Sequence, residues 1–183
     1  MNKRILGRTG KQIGEIGLGT WQLGTKWGDP FNRDEAMKIL EAAYDTGITF
    51  VDTADVYNGG KSEETIGEYL REHPGRFFVT TKCGRRLKPH TAEMYTPDAI
   101  RGFVEGSLER LKAEQLDLIL LHCPPGPVYQ RDDIFSELDR LKASGSQRGH
   151  SGRQPGGTGP EQCKGGGAGS AHRRTDAGGE GHI

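Results

Sequence analysis

The chain reads as an α/β protein in which parallel strands alternate with helices, on three observations. Short apolar, β-prone runs and stretches of helical period alternate four times between residues 17 and 145. The run Arg76-Phe77-Phe78-Val79-Thr80-Thr81-Lys82 is apolar enough to be covered on both faces, as parallel strands are. Asp52, Lys82 and His122 each end one of three successive strands, where a parallel barrel gathers side chains onto one rim.

Before the first unit, residues 4–16 hold two short β-prone pieces around Gly7-Arg8-Thr9-Gly10, which predicts a hairpin. Residues 17–21, Gly-Leu-Gly-Thr-Trp, form the first strand, with glycines where backbone runs close to a neighbour. A loop follows over 22–31. Asn32 caps a helix and Glu35 completes a capping box; Ala36, Met37, Leu40, Ala43 and Tyr44 share one face before Gly47 ends it. The second strand runs to Asp52. Ser62 then caps a helix with Glu63 and Glu64 in its first turn and Ile66, Tyr69 and Leu70 inward. The third strand covers 76–82, and a long polar loop runs from Cys83 to Tyr95. Thr96-Pro97-Asp98 starts a helix with Pro at its first position, and Ile100, Phe103, Val104, Leu108 and Leu111 follow at helical spacing. The fourth strand is 116–122, stopped by Pro124-Pro125. A fourth helix spans 132–143 with Ile134, Phe135, Leu138 and Leu141 inward and Gly145 as its stop.

Composition narrows the function. With 25 basic and 25 acidic side chains in 183 residues, no net charge draws the chain toward nucleic acid or anionic membrane, so its partners are expected to be small molecules. No apolar run approaches the ~20 residues of a membrane span, and no signal-peptide core follows the basic start. Three cysteines without a Cys-x-x-Cys pair give neither a disulfide framework nor a zinc knuckle, and fit a reducing cytoplasm. His90 and Cys83 lack the companions of a metal site, so no metal is expected. Gly59-Gly60 reads as a turn, because Gly60-Lys61-Ser62 lacks the earlier glycine of a phosphate-binding loop. Arg85, Arg86 and Lys88 read as a solvated loop.

The chemistry concentrates between Asp52 and Tyr57. A carboxylate at a strand end asks for a cation, and the next strand ends on Lys82. A phenol five residues after the carboxylate, in a Gly-rich loop, turns into the same cleft. A phenol beside an ammonium can hand a proton to an oxygen that is gaining negative charge. Tyr57 is the candidate donor, since a neighbouring ammonium favours the phenolate it leaves behind. Asp52 can hold Lys82, and His122 as neutral imidazole can hydrogen-bond and orient the substrate oxygen. Singly, each has a plainer reading: a structural ion pair, a loop aromatic, a core histidine.

Together the motifs resemble a family. Gly17-Leu18-Gly19-Thr20-Trp21, then Asp52-Thr53-Ala54-Asp55-Val56-Tyr57-Asn58-Gly59-Gly60-Lys61-Ser62-Glu63, then Val79-Thr80-Thr81-Lys82 and Leu120-Leu121-His122 are similar in order and spacing to the aldo-keto reductases, over roughly residues 3–145. The resemblance implies the first half of a (β/α)8 TIM barrel whose floor is closed by the N-terminal hairpin. It implies reduction of small aldehydes or ketones by NADPH, with Asp52, Tyr57, Lys82 and His122 as the catalytic set. It places Gly19, Thr20, Trp21 and Asp52 toward the nicotinamide end of NADPH and the substrate pocket. A non-catalytic relative that binds nucleotide to regulate a partner, as potassium-channel β-subunits do, is the alternative on the same fold.

The resemblance stops at Gly145. A complete barrel needs ~250 residues, and a fifth strand should follow the fourth helix. Instead residues 146–183 contain 12 glycines and a single branched aliphatic, Ile183, and lack Val, Leu, Met, Phe, Tyr and Trp. Such a segment buries too little to offset its ordering entropy, which predicts two parts: a half-barrel over 1–145 and a disordered Gly-rich tail over 146–183. The segments that hold most of the cofactor in the family would lie past residue 145, so the chain as written is expected to be truncated and inactive. Back-translating residues 149–154 and reading one nucleotide later permits Gly-Ile-Arg-Gly-Val-Ser, a strand-like run, so the tail is expected to be translated out of frame. Sequencing the DNA past codon 145 checks this: an alternative frame should encode further alternating apolar segments, and two frames without them would make the tail native.

Overall fold

The computed structural model describes residues 1–25 and 28–145. The expected tail over 146–183 lies outside the described residues. The N-terminal hairpin forms as expected: β1 (Lys3–Ile5) pairs antiparallel with β2 (Gln12–Gly14), Arg4 opposite Ile13. Its connection is one 3₁₀ turn, Gly7–Thr9, in which the Thr9 hydroxyl donates to the Leu6 carbonyl at 2.6 Å.

Four parallel strands follow in the order β3 (Leu18–Gly19), β4 (Phe50–Asp52), β5 (Phe78–Cys83) and β6 (Leu118–Leu121). Gly19 lies level with Asp52, Asp52 with Thr80, and Lys82 with Leu120. Each strand hands the chain to a helix: α1 (Arg33–Asp45), α2 (Lys61–Glu72), α3 (Pro97–Leu111) and α4 (Asp132–Ala143). Each helix packs on the next, giving one wall of a parallel strand–helix barrel. Its core is the layer between sheet and helices, where Leu40, Val51, Ile66, Val79, Ile100, Val104, Ile119 and Ile134 are buried. Among the described residues no helix is long and apolar enough to cross a membrane.

Strand ends differ from the expectation, each for a local reason. The first strand is only two residues long, and just past it the Thr20 amide and hydroxyl both reach the Asp52 carbonyl. Arg76 stays outside β5: its amide turns back to the His73 carbonyl, and its guanidinium sits on the Tyr44 ring and bonds Glu41. The ladder starts when the Phe78 amide finds the Thr49 carbonyl at 2.8 Å. Asp117 remains outside β6 because its carboxylate takes the Val79 amide, a side chain standing in for the ladder. His122 follows β6 and is tied to it by its own amide, which donates to the Cys83 carbonyl at 2.8 Å.

Helix α3 starts as expected, with the Thr96 hydroxyl accepting from the Ala99 amide at 3.1 Å. Asn32 caps α1 through the Glu35 amide at 3.0 Å, but the reciprocal half of the box is not made: the Asn32 amide goes to the Gly24 carbonyl at 2.6 Å. Tyr44, expected inward, is exposed and edges Phe77 from outside. The supposed cap Ser62 is the second residue of α2, fully buried, and left-handed Gly60 precedes the helix instead. The loop over 83–95 is less open than its polarity suggests, because Tyr95 is fully buried with its hydroxyl 3.0 Å from His90 Nε2.

Helices α2 and α3 meet at Gly67, where an added Cβ would stand 2.5 Å from the carbonyl group of Leu111. Backbone cannot yield as a side-chain tip does. Gly67→Ala should therefore destabilise the fold by about 1–3 kcal/mol, read as a lower urea midpoint; an unchanged midpoint would mean the two helices are free to part.

Candidate active site

The C-terminal ends of the strands converge on Lys82. Its ammonium pairs with Asp52 Oδ1, donates to the Thr53 carbonyl at 2.9 Å and to the Tyr57 hydroxyl at 3.3 Å. Three N–H donors thus have three acceptors. Tyr57 arrives there because Asp52 through Asp55 prolong the pairing of β4 with β5, the Asp55 amide donating to the Lys82 carbonyl, before the chain turns. The turn over Tyr57–Gly60 has Asn58 and Gly59 in left-handed conformation, and Asn58 Nδ2 anchors it to the Leu23 carbonyl. His122 completes the group, its ring edge-on to Tyr57 at 5.9 Å between centroids. Burial, then the charges of Lys82 and Arg85, lower the His122 pKa to about 4, so the imidazole is neutral at physiological pH. Its Nδ1 is buried without a hydrogen-bond partner.

Behind Asp52 lies a relay of hydroxyls that the sequence did not reveal. The Thr20 amide and hydroxyl both donate to the Asp52 carbonyl, at 2.9 and 3.0 Å. With that proton committed, Thr20 accepts from Ser62 at 2.9 Å, and Ser62 in turn from Thr53 at 2.9 Å. All three are buried. Fully satisfied buried polar chains of this kind fix a single backbone geometry, and this one fixes the strand end that carries Asp52.

The residues expected near a nicotinamide separate into two kinds. Gly19 and Trp21 face out: a Cβ on Gly19 would meet nothing within 4 Å, and Trp21 is 56% exposed. Thr20 is fully buried, and its hydroxyl serves Asp52 instead of the open side. A cleft of about 800 Å³ lies elsewhere, against the start of α1 between Gln22 and Ile39, and no member of the Asp52–Tyr57–Lys82–His122 group lines it. Among the described residues no three His, Cys, Asp or Glu side chains gather to hold a metal ion.

A second layer of charge lies beneath. Glu63, fully buried, accepts from the Thr81 hydroxyl and from Arg110 Nε at 2.6 Å, joining α2, β5 and α3. Its partner lies 47 positions away in the chain, so no local pattern announced it. Asp55 is fully buried, and both its carboxylate oxygens lack a hydrogen-bond partner. Burial, then the neighbouring Glu63 carboxylate, push its pKa up to about 6 against the pull of Arg86 and Arg110 and a minor contribution from the Val56 amide.

The group thus sits on the C-terminal rim of a parallel strand–helix wall. The family model described as "Aldo/keto reductase family" matches residues 15–150, and the chain belongs to that family. It is 33% identical over 149 residues to the uncharacterized oxidoreductase YqkF of Bacillus subtilis and 34% identical over 152 residues to L-galactose dehydrogenase of Arabidopsis thaliana. Each alignment covers 79% of this chain and 46% of the relative. The NADH-specific methylglyoxal reductase of Escherichia coli is 31% identical over 164 residues, covering 81% of this chain and 50% of that protein. Among solved structures, the holo form of the Bacillus halodurans aldo-keto reductase AKR11C1 superposes with a TM-score of 0.68 at 29% identity, over 81% of this chain and 49% of that one. A Klebsiella pneumoniae aldo-keto reductase in complex with NADPH gives 0.64 at 29%, over 81% and 48%. The chain spans about half the length of the curated relatives it matches.

The Asp55 shift sets a sign. Its folded value lies above the ordinary 3.8, so the fold favours the protonated acid; that contribution is present below about pH 4 and is lost as pH rises to about 6. Asp55→Asn should therefore be more stable than wild type at pH 7.5, by on the order of 1–2 kcal/mol. The gap should close on acidification toward pH 4 in chemical denaturation; equal stability at pH 7.5 would count against the burden assigned to this carboxylate.

Proposed function

We propose that the protein reduces small aldehydes and ketones to alcohols with NADPH, and that Tyr57 gives the proton. One observation carries the reading: a single ammonium, Lys82, bonds at once to a carboxylate and to a phenol on the rim of a parallel barrel wall. The rim suits the nicotinamide end of the cofactor. Backbone at Gly19 is open to a flat ring, Trp21 offers an exposed aromatic face, and Asp52 lies level with Gly19. When bound, NADPH supplies the hydride to the carbonyl carbon.

The remaining work belongs to side chains of this chain. The carbonyl oxygen is received between the Tyr57 hydroxyl and the His122 imidazole. The imidazole is neutral there, so it acts as a hydrogen-bonding and orienting group and does not compete as an acid. As the C–O bond takes on alkoxide character, the Tyr57 O–H breaks and its proton passes to that oxygen, giving the alcohol and a phenolate. Lys82 stabilises the phenolate through the contact it already makes, and Asp52 keeps the ammonium in place. Bulk water restores the proton after product leaves. Cys83 is a buried thiol whose pKa burial raises further, which suits a protein kept in the reducing cytoplasm.

The test uses a frame-restored protein, in which the reading frame expected past codon 145 replaces residues 146–183, with NADPH and a panel of small carbonyl compounds. Tyr57→Phe should lose on the order of 10²- to 10⁴-fold in kcat while NADPH affinity, followed by nicotinamide fluorescence, changes little. Lys82→Met should be similarly severe, since it removes the cation and strands Asp52. Wild-type turnover in Tyr57→Phe would overturn the assignment of the acid. Tight NADPH binding without turnover of any carbonyl would favour a nucleotide-binding regulatory subunit.

A further inference from the structure

Asp55 stands three residues after Asp52 and two before Tyr57, buried, with no full hydrogen bond to either carboxylate oxygen and only a weak approach of the Val56 amide. A buried acid left this way weakens a fold and calls for an explanation. The titratable groups that face it come from every element packed around it: Glu63 of α2, Arg110 of α3, Cys83 of β5, and Arg86 and Tyr95 of the segment after β5. Of the two guanidiniums, Arg110 is committed to Glu63. Arg86, which attracts the Asp55 carboxylate without bonding to it, donates to the Gly59 carbonyl at 2.7 Å, in the turn that begins with Tyr57. Its fit on that turn is close: a Cβ at Gly60 would stand 3.2 Å from Arg86 Nη2 and 2.9 Å from Arg110 Cδ.

An exposed arginine bonded to one carbonyl gains little on its own, because water competes for both partners. A buried negative charge whose field reaches it changes the balance, since that field is poorly screened. We propose that Asp55 and Arg86 are positioning residues for Tyr57. The Asp55 carboxylate draws the Arg86 guanidinium onto Gly59, and the clamp keeps the Tyr57 turn where Lys82 reaches the phenol. The inference rests on Tyr57 being the proton donor. It also accounts for the tolerance of an unpaired buried acid beside the site: the stability lost there maintains geometry at the reacting group. Protonating Asp55, near pH 6, weakens the draw on Arg86 and loosens the clamp.

Asp55→Asn, Arg86→Met, Arg86→Lys and the Asp55→Asn/Arg86→Met double variant, made in the frame-restored protein, test this. Asp55→Asn and Arg86→Met should each lower kcat about tenfold at pH 7.5, with KM and NADPH affinity within about twofold. The double variant should be no slower than the slower single one, because one clamp is lost only once. Arg86→Lys should recover part of the rate, and the acid limb of kcat near pH 6 should vanish in Asp55→Asn. Asp55→Asn should be slower although more stable. A stability gain with kcat unchanged, or fully additive losses in the double variant, would overturn the clamp. Should wild type show no turnover, the proton-donor reading falls by itself, and the clamp is judged by ¹³C-tyrosine NMR with Tyr57 assigned from Tyr57→Phe. The Tyr57 ring signal should shift between pH 5 and 7 in wild type and stay fixed in Asp55→Asn; the same behaviour in both proteins would overturn it.

Discussion

The half-buried ammonium of Lys82 is the charge around which the rim is arranged. A cation taken out of water needs its hydration replaced bond for bond, and here the replacements come from Asp52, the Thr53 carbonyl and Tyr57. Two come from the end of β4 and one from the turn beyond it. The ammonium therefore fixes how β4 ends, how β5 is registered against it, and where the chain must turn to present a phenol. Parallel pairing sets Asp52 level with Thr80, two residues before Lys82, and so sets the offset the side chain has to span. The hydroxyl relay through Thr20, Ser62 and Thr53 restrains the same strand end from its buried side.

The second layer explains why the helices behind the rim keep their places. Glu63 cannot be left alone in the interior, so Arg110 must come from α3 and Thr81 from β5. That requirement brings α2 against α3 closely enough that only glycine fits at position 67. Ser62, one residue before Glu63, belongs to the relay under Asp52. One turn of α2 thus serves both layers, and the rim group around Lys82 and the helix packing are not separable parts of the structure.

What was legible in the sequence follows the range of the interaction concerned. Helix α3 was readable to its caps because Thr96, Pro97 and the apolar period act within a few residues. The alternation of strand and helix is readable for the same reason, and so is the gathering of Asp52, Lys82, Tyr57 and His122 in space, because all four residues sit at strand ends or just beyond. Ser62 was misread as a cap because a Ser-Glu-Glu start satisfies every local rule for one; its real partners, Thr20 and Thr53, lie on other strands. Arg86 looked like solvated charge because its acceptor, the Gly59 carbonyl, leaves no mark on the sequence. Asp55 sits inside the motif without announcing itself, because a buried carboxylate short of partners is visible only once burial is known. Tyr95 was hidden by the polar loop around it.

The unequal contacts of Lys82 bear on how the proposed reaction would gain rate. In the resting site the ammonium is drawn closely to Asp52 and stands 3.3 Å from the Tyr57 oxygen, a long contact for a charged donor. A neutral phenol offers it little. As the proton leaves, the phenol oxygen becomes an anion, and the same ammonium then has two oxyanions to serve. The attraction to Tyr57 grows only along the reaction coordinate, which is the kind of interaction that lowers a barrier without tightening the ground state. Asp52 has a double part in this: it holds the cation in reach and competes for it. The hydroxyl relay holds the backbone carbonyl of Asp52, so in the proposed reaction buried threonine and serine side chains with no contact to substrate would limit how far the ammonium moves toward Tyr57.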